Sequence, residues 1–307
     1  MISLLLAEQI GKLLLMMLLG FFLVKGGLLQ ADGSKPLSVI ALYVIMPCVI
    51  VESFQVERTR EVCQGLLLAA GTAAILHLVL LAMQPFWKKI GLDPVERASA
   101  FYSNAGNLLI PLVVGILGEE WVLYSTAYVC VQTVLLWTHA RILMSGETQV
   151  EWKKILLNPN VIAVVAGVLL FLLEIRLPGL LVETFEPVGD MIGPLNMMVA
   201  GILLGGLSLK ELRSYKRLPL VVLLRMVICP LILLAVIRIL PLTVLAPEGE
   251  TIVLICFMAS ITPTAAVITQ MAQVFGRDAR YAMAINVAGT VVSIVSMPLL
   301  VGLYQML

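Results

Sequence analysis

The chain has 307 residues, 61% of them hydrophobic and 13% charged, whereas soluble proteins run at roughly half apolar and about a quarter charged. With a mean hydropathy of +1.05, it reads as an all-α, polytopic integral membrane protein embedded in a lipid bilayer. A net charge of +1 and no basic run exclude nucleic acid as a partner, which would need a clustered Lys/Arg footprint. The five cysteines, Cys48, Cys63, Cys130, Cys229 and Cys256, lie mostly in apolar stretches without CxxC or Cys/His spacing. They read as small buried hydrophobes, and no metal or cofactor is expected.

A spanning helix needs about 20 mostly apolar residues, and ten candidates follow one another along the chain. The first runs from Leu4 to Lys25. It continues past Lys12 without a small-residue cleavage site, so it reads as a span and not a signal peptide. The second covers Leu37 to Val56 with Pro47 inside it, the third Val62 to Phe86, the fourth Arg97 to Leu117 and the fifth Trp121 to Leu143. The sixth starts near Asn158 and ends near Leu173, the seventh spans Met191 to Leu209 and the eighth Leu218 to Leu240. The ninth covers Thr251 to Phe275 and the tenth Ala279 to Met306. Pro178 to Gly189 is amphipathic and is expected at the membrane interface.

Short cytoplasmic loops retain Lys and Arg. Fourteen of the twenty basic residues fall in the loops after spans one, three, five, seven and nine, among them Lys35, Lys88, Lys153, Lys154, Arg217 and Arg280. Four fall on the other side (Arg58, Arg60, Arg176, Arg238), and Lys12 and Arg225 sit inside spans. Both termini are therefore expected outside a cell membrane.

Two spans are interrupted. Ser103 to Pro111 reads SNAGNLLIP and Ser260 to Thr264 reads SITPT, each placing a proline and small, hydroxyl or amide side chains inside an apolar helix. Broken helices survive in lipid only where protein buries them or where they line a watery cavity. Pro47 has a counterpart in Pro194, 147 residues on, and Pro111 has one in Pro263, 152 residues on. The similar offsets imply two five-helix repeats, residues 1–144 and 158–307, joined by a cytoplasmic linker at 145–157. With an odd number of spans per unit, the second repeat must be inverted, and inverted repeats with discontinuous helices are a transporter signature.

The free N–H groups of a broken helix carry partial positive charge and suit an anion. Asn104 and Asn107 add amides, Gly106 permits close approach, and Ser260, Thr262 and Thr264 add hydroxyls around Pro263. Such a site is polar without being charged, able to bind a carboxylate and to release it.

At these residues the sequence resembles the auxin efflux carrier family of permeases, which includes the plant PIN-type carriers and bacterial organic-acid permeases. The resemblance is carried by SNAGNLLIPLVVGILG (Ser103 to Gly118), NPNVIAVVAG (Asn158 to Gly167), GPLNMMVAGILLG (Gly193 to Gly205), LLRMVICPLI around Arg225, and TPTAAVITQMAQVFGRDARYA (Thr262 to Ala282). It covers nearly the whole chain. It implies a scaffold of spans one, two, six and seven and a transport unit of spans three to five and eight to ten. Spans four and nine would cross at Pro111 and Pro263, with the substrate carboxylate at the crossing beside Asn104 and with Asn160 contributing from the scaffold. It further implies an elevator-type shift of the transport unit and a homodimer formed through the scaffold. The long cytoplasmic loop of the plant carriers is reduced here to Ser145 to Leu157, and Asn107 and Leu108 stand where bacterial members commonly have an aromatic and a small residue.

Plainer readings stand beside these. Asn104 would also satisfy backbone freed by the break. Asn158 and Asn160 open a span, where Asn caps well and Pro159 suits the first turn. Ser260 and Thr262 can bond to their own helix carbonyls, and Gly201 and Gly205 fit close helix packing. Glu8 and Lys12, four apart, are expected to pair. Arg225 is expected to reach the cytoplasmic interface in a structural role. Glu52 and Asp190 are the candidates for proton or sodium coupling, and a relay role for His77 or His139 is not favoured.

No HExxH, G-x-S-x-G, Walker or Rossmann pattern is present, so nothing marks an enzyme. The expectation is a secondary carrier of a small organic anion, a mono- or dicarboxylate, with a possible proton or sodium as coupling ion. The alternative is a membrane sensor using the same pocket, which would be expected to carry an output domain that the sequence does not show.

Overall fold

The computed structural model describes residues 2–30, 33–146, 153 and 156–307. Most of the expected 145–157 linker, with Lys154, lies outside the described residues. The fold is all-helical among the described residues, with a single isolated β-bridge as its extended pairing. In chain order the elements are α1 (Ile2–Lys25), α2 (Ser34–Ser53), α3 (Arg60–Lys89), α4 (Pro94–Phe101), α5 (Ala105–Ile116), α6 (Glu119–Ser145) and α7 (Pro159–Leu172). There follow α8 (Gly179–Gly206), α9 (Leu209–Ser214), α10 (Leu218–Ile239), α11 (Gly249–Ile261), α12 (Ala266–Val274) and α13 (Ala279–Met306). Among the described residues, six of these (α2, α3, α6, α8, α10 and α13) are long and apolar enough to cross a membrane by length and composition, while α5, α7 and α11 are shorter apolar helices. The segment expected at the interface forms the first part of α8, Gly179–Asp190, and its side chains are mostly exposed.

Helix starts follow local chemistry. Thr59 Oγ1 accepts from Val62 N at 3.1 Å to cap α3, and Asp93 and Glu96 form a reciprocal capping box ahead of α4. Asn158 caps α7 by accepting from the backbone N–H of Asn160 and Val161, and Asp278 caps α13 through Tyr281 N at 2.8 Å. Each cap satisfies amides that the first turn leaves without an intrahelical acceptor.

Three prolines shape helices without ending them. The turns Ala41–Ile45, Ala105–Leu109 and Leu224–Ile228 are widened to π geometry, and Pro47, Pro111 and Pro230 each stand two residues beyond. Proline lacks the N–H that would bond one turn back and its ring crowds that carbonyl. At these three sites the helix admits an extra residue into the turn, whereas Pro85 and Pro298 sit in regular α-helix and the π turn Leu136–Ala140 has no proline beyond it.

Glycine sets the closest packing. A Cβ at Gly201 would lie 1.8 Å from the Met17 carbonyl oxygen, and one at Gly20 would lie 2.1 Å from that of Met198. The α1 and α8 backbones therefore touch directly, the small-residue mode by which helices associate in lipid. Glu8 and Lys12 form the expected pair on α1, 3.0 Å apart and exposed. Two apolar cores result: a large one built mainly from α3–α6 and α10–α13, and a smaller one joining α2, α7 and Ile192 of α8 to Ile110, Val122 and Leu123.

Candidate functional site

Helices α4 and α11 both stop in mid-fold, and the extended segments after them run antiparallel. Asn104 N donates to Pro263 O at 2.8 Å and Ala265 N donates to Tyr102 O at 2.9 Å, so Ser103 faces Thr264 in a one-residue bridge. Backbone that has left a helix must find partners inside an apolar fold, and here each broken helix supplies them to the other. Gln132 of α6 completes the pairing: its Oε1 accepts from Ser103 N (3.1 Å) and Oγ (2.5 Å), and its Nε2 donates to Ser103 O at 2.8 Å.

The C-terminal ends that meet at this crossing expose carbonyls, and Arg225 takes them. Its side chain is 1% exposed. Nε donates to Thr262 O at 3.0 Å, Nη2 to Ser260 O and Thr262 O at 2.6 Å each, and Nη1 to Ala100 O and Phe101 O at 3.4 Å. One planar fork thus holds the ends of both α4 and α11, where a cation is also favoured by the negative end of each helix dipole. Arg225 does not reach the membrane interface as expected from its position in the span. Inside the fold, five donors on backbone acceptors offset the cost of burying the charge.

The N-terminal ends of α5 and α12 leave the same crossing in the other sense. Neither Asn104 nor Ala265, which precede them, provides a side-chain cap. Both helix starts line a cleft with Ser38, Asn104, Asn107, Leu108, Asn196, Ala266, Val267, Gln270, Asn286 and Thr290. The lining holds amides and hydroxyls but no Lys, Arg, His, Asp or Glu. Its free volume is about 30 Å³, enough to admit water.

The cleft communicates with one face of the protein. Ser38, Val199, Leu203, Ala266 and Gln270 also line a vestibule of about 730 Å³ that carries Lys35 and Arg280. Toward the other face α5 lies tight against α2 and α8: a Cβ at Gly106 would come within 2.5 Å of Met46 Cε, and one at Gly193 within 2.9 Å of Pro111 Cγ. Beyond that contact a groove of about 440 Å³ is lined by Glu52, Glu119, Glu120, Glu186 and Asp190, with Lys12. Glu52 and Asp190 thus face this groove and not the cleft.

The expected site residues divide. Asn104 and Asn107 line the cleft. Ser260, Thr262 and Thr264 do not: their hydroxyls donate to Phe257 O (2.7 Å), Ala259 O (2.9 Å) and Ser99 O (2.9 Å), deep in the fold. Asn160 sits at the start of α7 with its Oδ1 buried and unpartnered, away from the cleft, while the cap itself is made by Asn158. Of the two prolines only Pro263 stands at the crossing. Pro111 packs on Gly193 because the chain leaves the helix at 102–104, seven residues earlier, where the bridge forms. Asn196, Gln270, Asn286 and Thr290 were not anticipated. Asn286 donates to Thr264 O and Thr290 donates back to Asn286 O at 2.9 Å, tying α13 to the bridge. Their signal is an amide or hydroxyl inside an apolar span, the criterion that had singled out Asn104.

Among the described residues no group of His, Cys, Asp and Glu could hold a metal ion. No curated protein gives a significant match. A family model described as "Membrane transport protein" matches residues 5–151 and 147–301, which together span both broken helices, the Arg225 clamp and the cleft. The chain belongs to this family of membrane transport proteins, the auxin efflux carrier permeases.

Proposed function

We propose that the protein is a secondary carrier of a small organic anion, a mono- or dicarboxylate, which it moves by alternating access. The observation that carries this reading is the convergence of two uncapped helix N-termini on a charge-free polar cleft. Helix starts offer oriented N–H donors and partial positive charge to an anion. Without a fixed cation, binding stays weak enough for release. Asn104 is the side chain assigned to the carboxylate, with Asn107 beside it.

The cleft opens to one vestibule and is shut on the other side by Met46 on Gly106 and Pro111 on Gly193. In this reading that is one of two states. In this reading α3–α6 with α10–α13, which build most of the larger core, form the transport unit, and α1, α2, α7 and α8 the scaffold, dimeric through its outer face. Counting α4/α5 and α11/α12 each as one broken span gives ten spans in two inverted repeats, 1–144 and 158–307. The Lys35 and Arg280 vestibule then faces the cytoplasm and both termini lie outside. Elevator displacement slides the crossing past the α5–α8 contact.

Uptake into proteoliposomes with a carboxylate panel, with and without proton and sodium gradients, tests the proposal. Carboxylate flux that falls with Asn104→Ala is the expected result. Absence of flux for every organic anion, with binding retained, would favour a sensor.

A further inference from the structure

Two helices pass both the cleft and the acidic groove, and each turns one continuous face to them. On α5, Asn104, Asn107 and Leu108 line the cleft, and Pro111, Val114 and Gly115 line the groove. Steps of three and four residues keep these positions on one side of the helix. On α8, Gly189 and Gly193 line the groove, and Asn196, Ala200 and Leu203 line the cleft, again in steps of three and four. The third wall is α2, with Ser38 in the cleft and Val49, Glu52 and Ser53 in the groove. Cleft and groove are therefore parts of one corridor, interrupted between Leu108 and Pro111 on α5 and between Gly193 and Asn196 on α8. That interval is about one helical turn.

Two contacts fill the interrupted turn, both on glycine. The Pro111 ring lies on Gly193, and the end of Met46 lies on Gly106, where an added Cβ would come within 2.5 Å of Met46 Cε. The two differ in stiffness. A proline ring is fixed to its own backbone and moves only with its helix. Methionine is unbranched with three rotatable bonds, so its tip can swing off the bare glycine while both helices stay in place.

Met46 also touches both parts of the corridor. It is 4% exposed and packs in the small core with Val49, Ile110 and Ile192, which line the groove. Its tip rests on Gly106, the chain neighbour of Asn107 in the cleft. Met46 directly follows the π turn Ala41–Ile45, and Gly106 stands within the π turn Ala105–Leu109. Widened turns of this kind are frequent at functional sites.

We infer that Met46 is the gate between cleft and groove. With its tip on Gly106 the corridor is closed. With the tip swung aside the cleft opens to the groove while Pro111 remains on Gly193. The gate is a property of the path, whichever ligand uses it.

The test is thiol labelling of the full chain in vesicles of one orientation. Cys48, Cys63 and Cys130, the partly exposed thiols, are replaced by alanine, and Ala200→Cys places a thiol in the cleft. A membrane-impermeant methanethiosulfonate is added to one face at a time. With Met46 present, labelling should be about tenfold faster from the vestibule face, the ratio set by an open-gate population of roughly 10%. In Met46→Ala the rate from the groove face should rise to within about twofold of the vestibule-face rate. The vestibule-face rate itself should not change, which reports an intact fold. Met46→Val, whose side chain also stops short of Gly106, serves where the alanine variant does not fold. Equal labelling from both faces with Met46 present, or an asymmetry that survives both truncations, overturns the inference. Labelling needs no substrate, so either result leaves the anion reading standing, and absence of carboxylate flux leaves the gate standing.

Discussion

The C-terminal ends of α4 and α11 and the N-terminal ends of α5 and α12 meet within one crossing, yet protein groups saturate the first pair and leave the second facing a cleft. On the carbonyl side eight backbone acceptors have donors: Arg225 for Ala100, Phe101, Ser260 and Thr262, backbone N–H for Tyr102 and Pro263, Gln132 for Ser103, and Asn286 for Thr264. On the amide side no side chain caps either helix. The same backbone break therefore makes a rigid joint and an anion-binding surface. The difference lies in which kind of end the chain chooses to satisfy.

Five substitutions break or sharpen that contrast. The largest effect is expected from Arg225→Met, which leaves four carbonyls without their donor and should lower stability by about 3 kcal/mol or more. A thermal melt of the purified protein reads this directly. Arg225→Lys keeps the charge but loses the planar fork and should fall between the two. Gln132→Leu strips the three contacts to Ser103 and should cost roughly 2–3 kcal/mol in the same melt, loosening the bridge from the side of α6.

Asn104→Ala acts on the open side. It should weaken carboxylate binding about tenfold, equivalent to about 1.4 kcal/mol, while the melting temperature of the unliganded protein stays nearly unchanged. Smallest is Thr264→Val, which removes one hydroxyl from Ser99 O. A loss of about 1 kcal/mol in stability, with ligand affinity intact, would place Thr264 with the clamped side.

The sequence and the structure part company at instructive residues. The two breaks were legible because proline, amides and hydroxyls stand out in apolar helices. Their position was less so. Pro111 stands out in the sequence, but a proline inside a helix need not end it, and Pro111, like Pro47 and Pro230, follows a widened turn within a continuing helix. The chain leaves the helix at 102–104 because 263–265, far along the sequence, arrives to pair with it. Such a cause leaves no local trace.

The role of Arg225 escapes a sequence reading for a related reason. Its acceptors are backbone carbonyls, which any residue can supply, so nothing in the sequence names them. The self-bonding of Ser260 and Thr262 could be read, since hydroxyls in helices often return to a carbonyl three or four residues back. Asn196, Gln270, Asn286 and Thr290 were visible in the same sense as Asn104. A lone amide or hydroxyl without a helix break beside it does not stand out in an apolar span. Close packing at Gly201 and Gly205 was legible, as steric arguments about glycine need no partner's identity, but that α1 is the helix packed there was not.

The most direct test of the contrast is to observe the two kinds of helix end while an anion binds. In a two-dimensional spectrum of the 15N-labelled protein, with the amides of Ala105, Ala266, Ser260 and Thr262 assigned, a carboxylate is titrated in. The account predicts saturable shifts at Ala105 and Ala266, the starts of α5 and α12, and little change at Ser260 and Thr262 under the Arg225 clamp. Shifts confined to the clamped residues, or saturable binding with neither helix start perturbed, would contradict it.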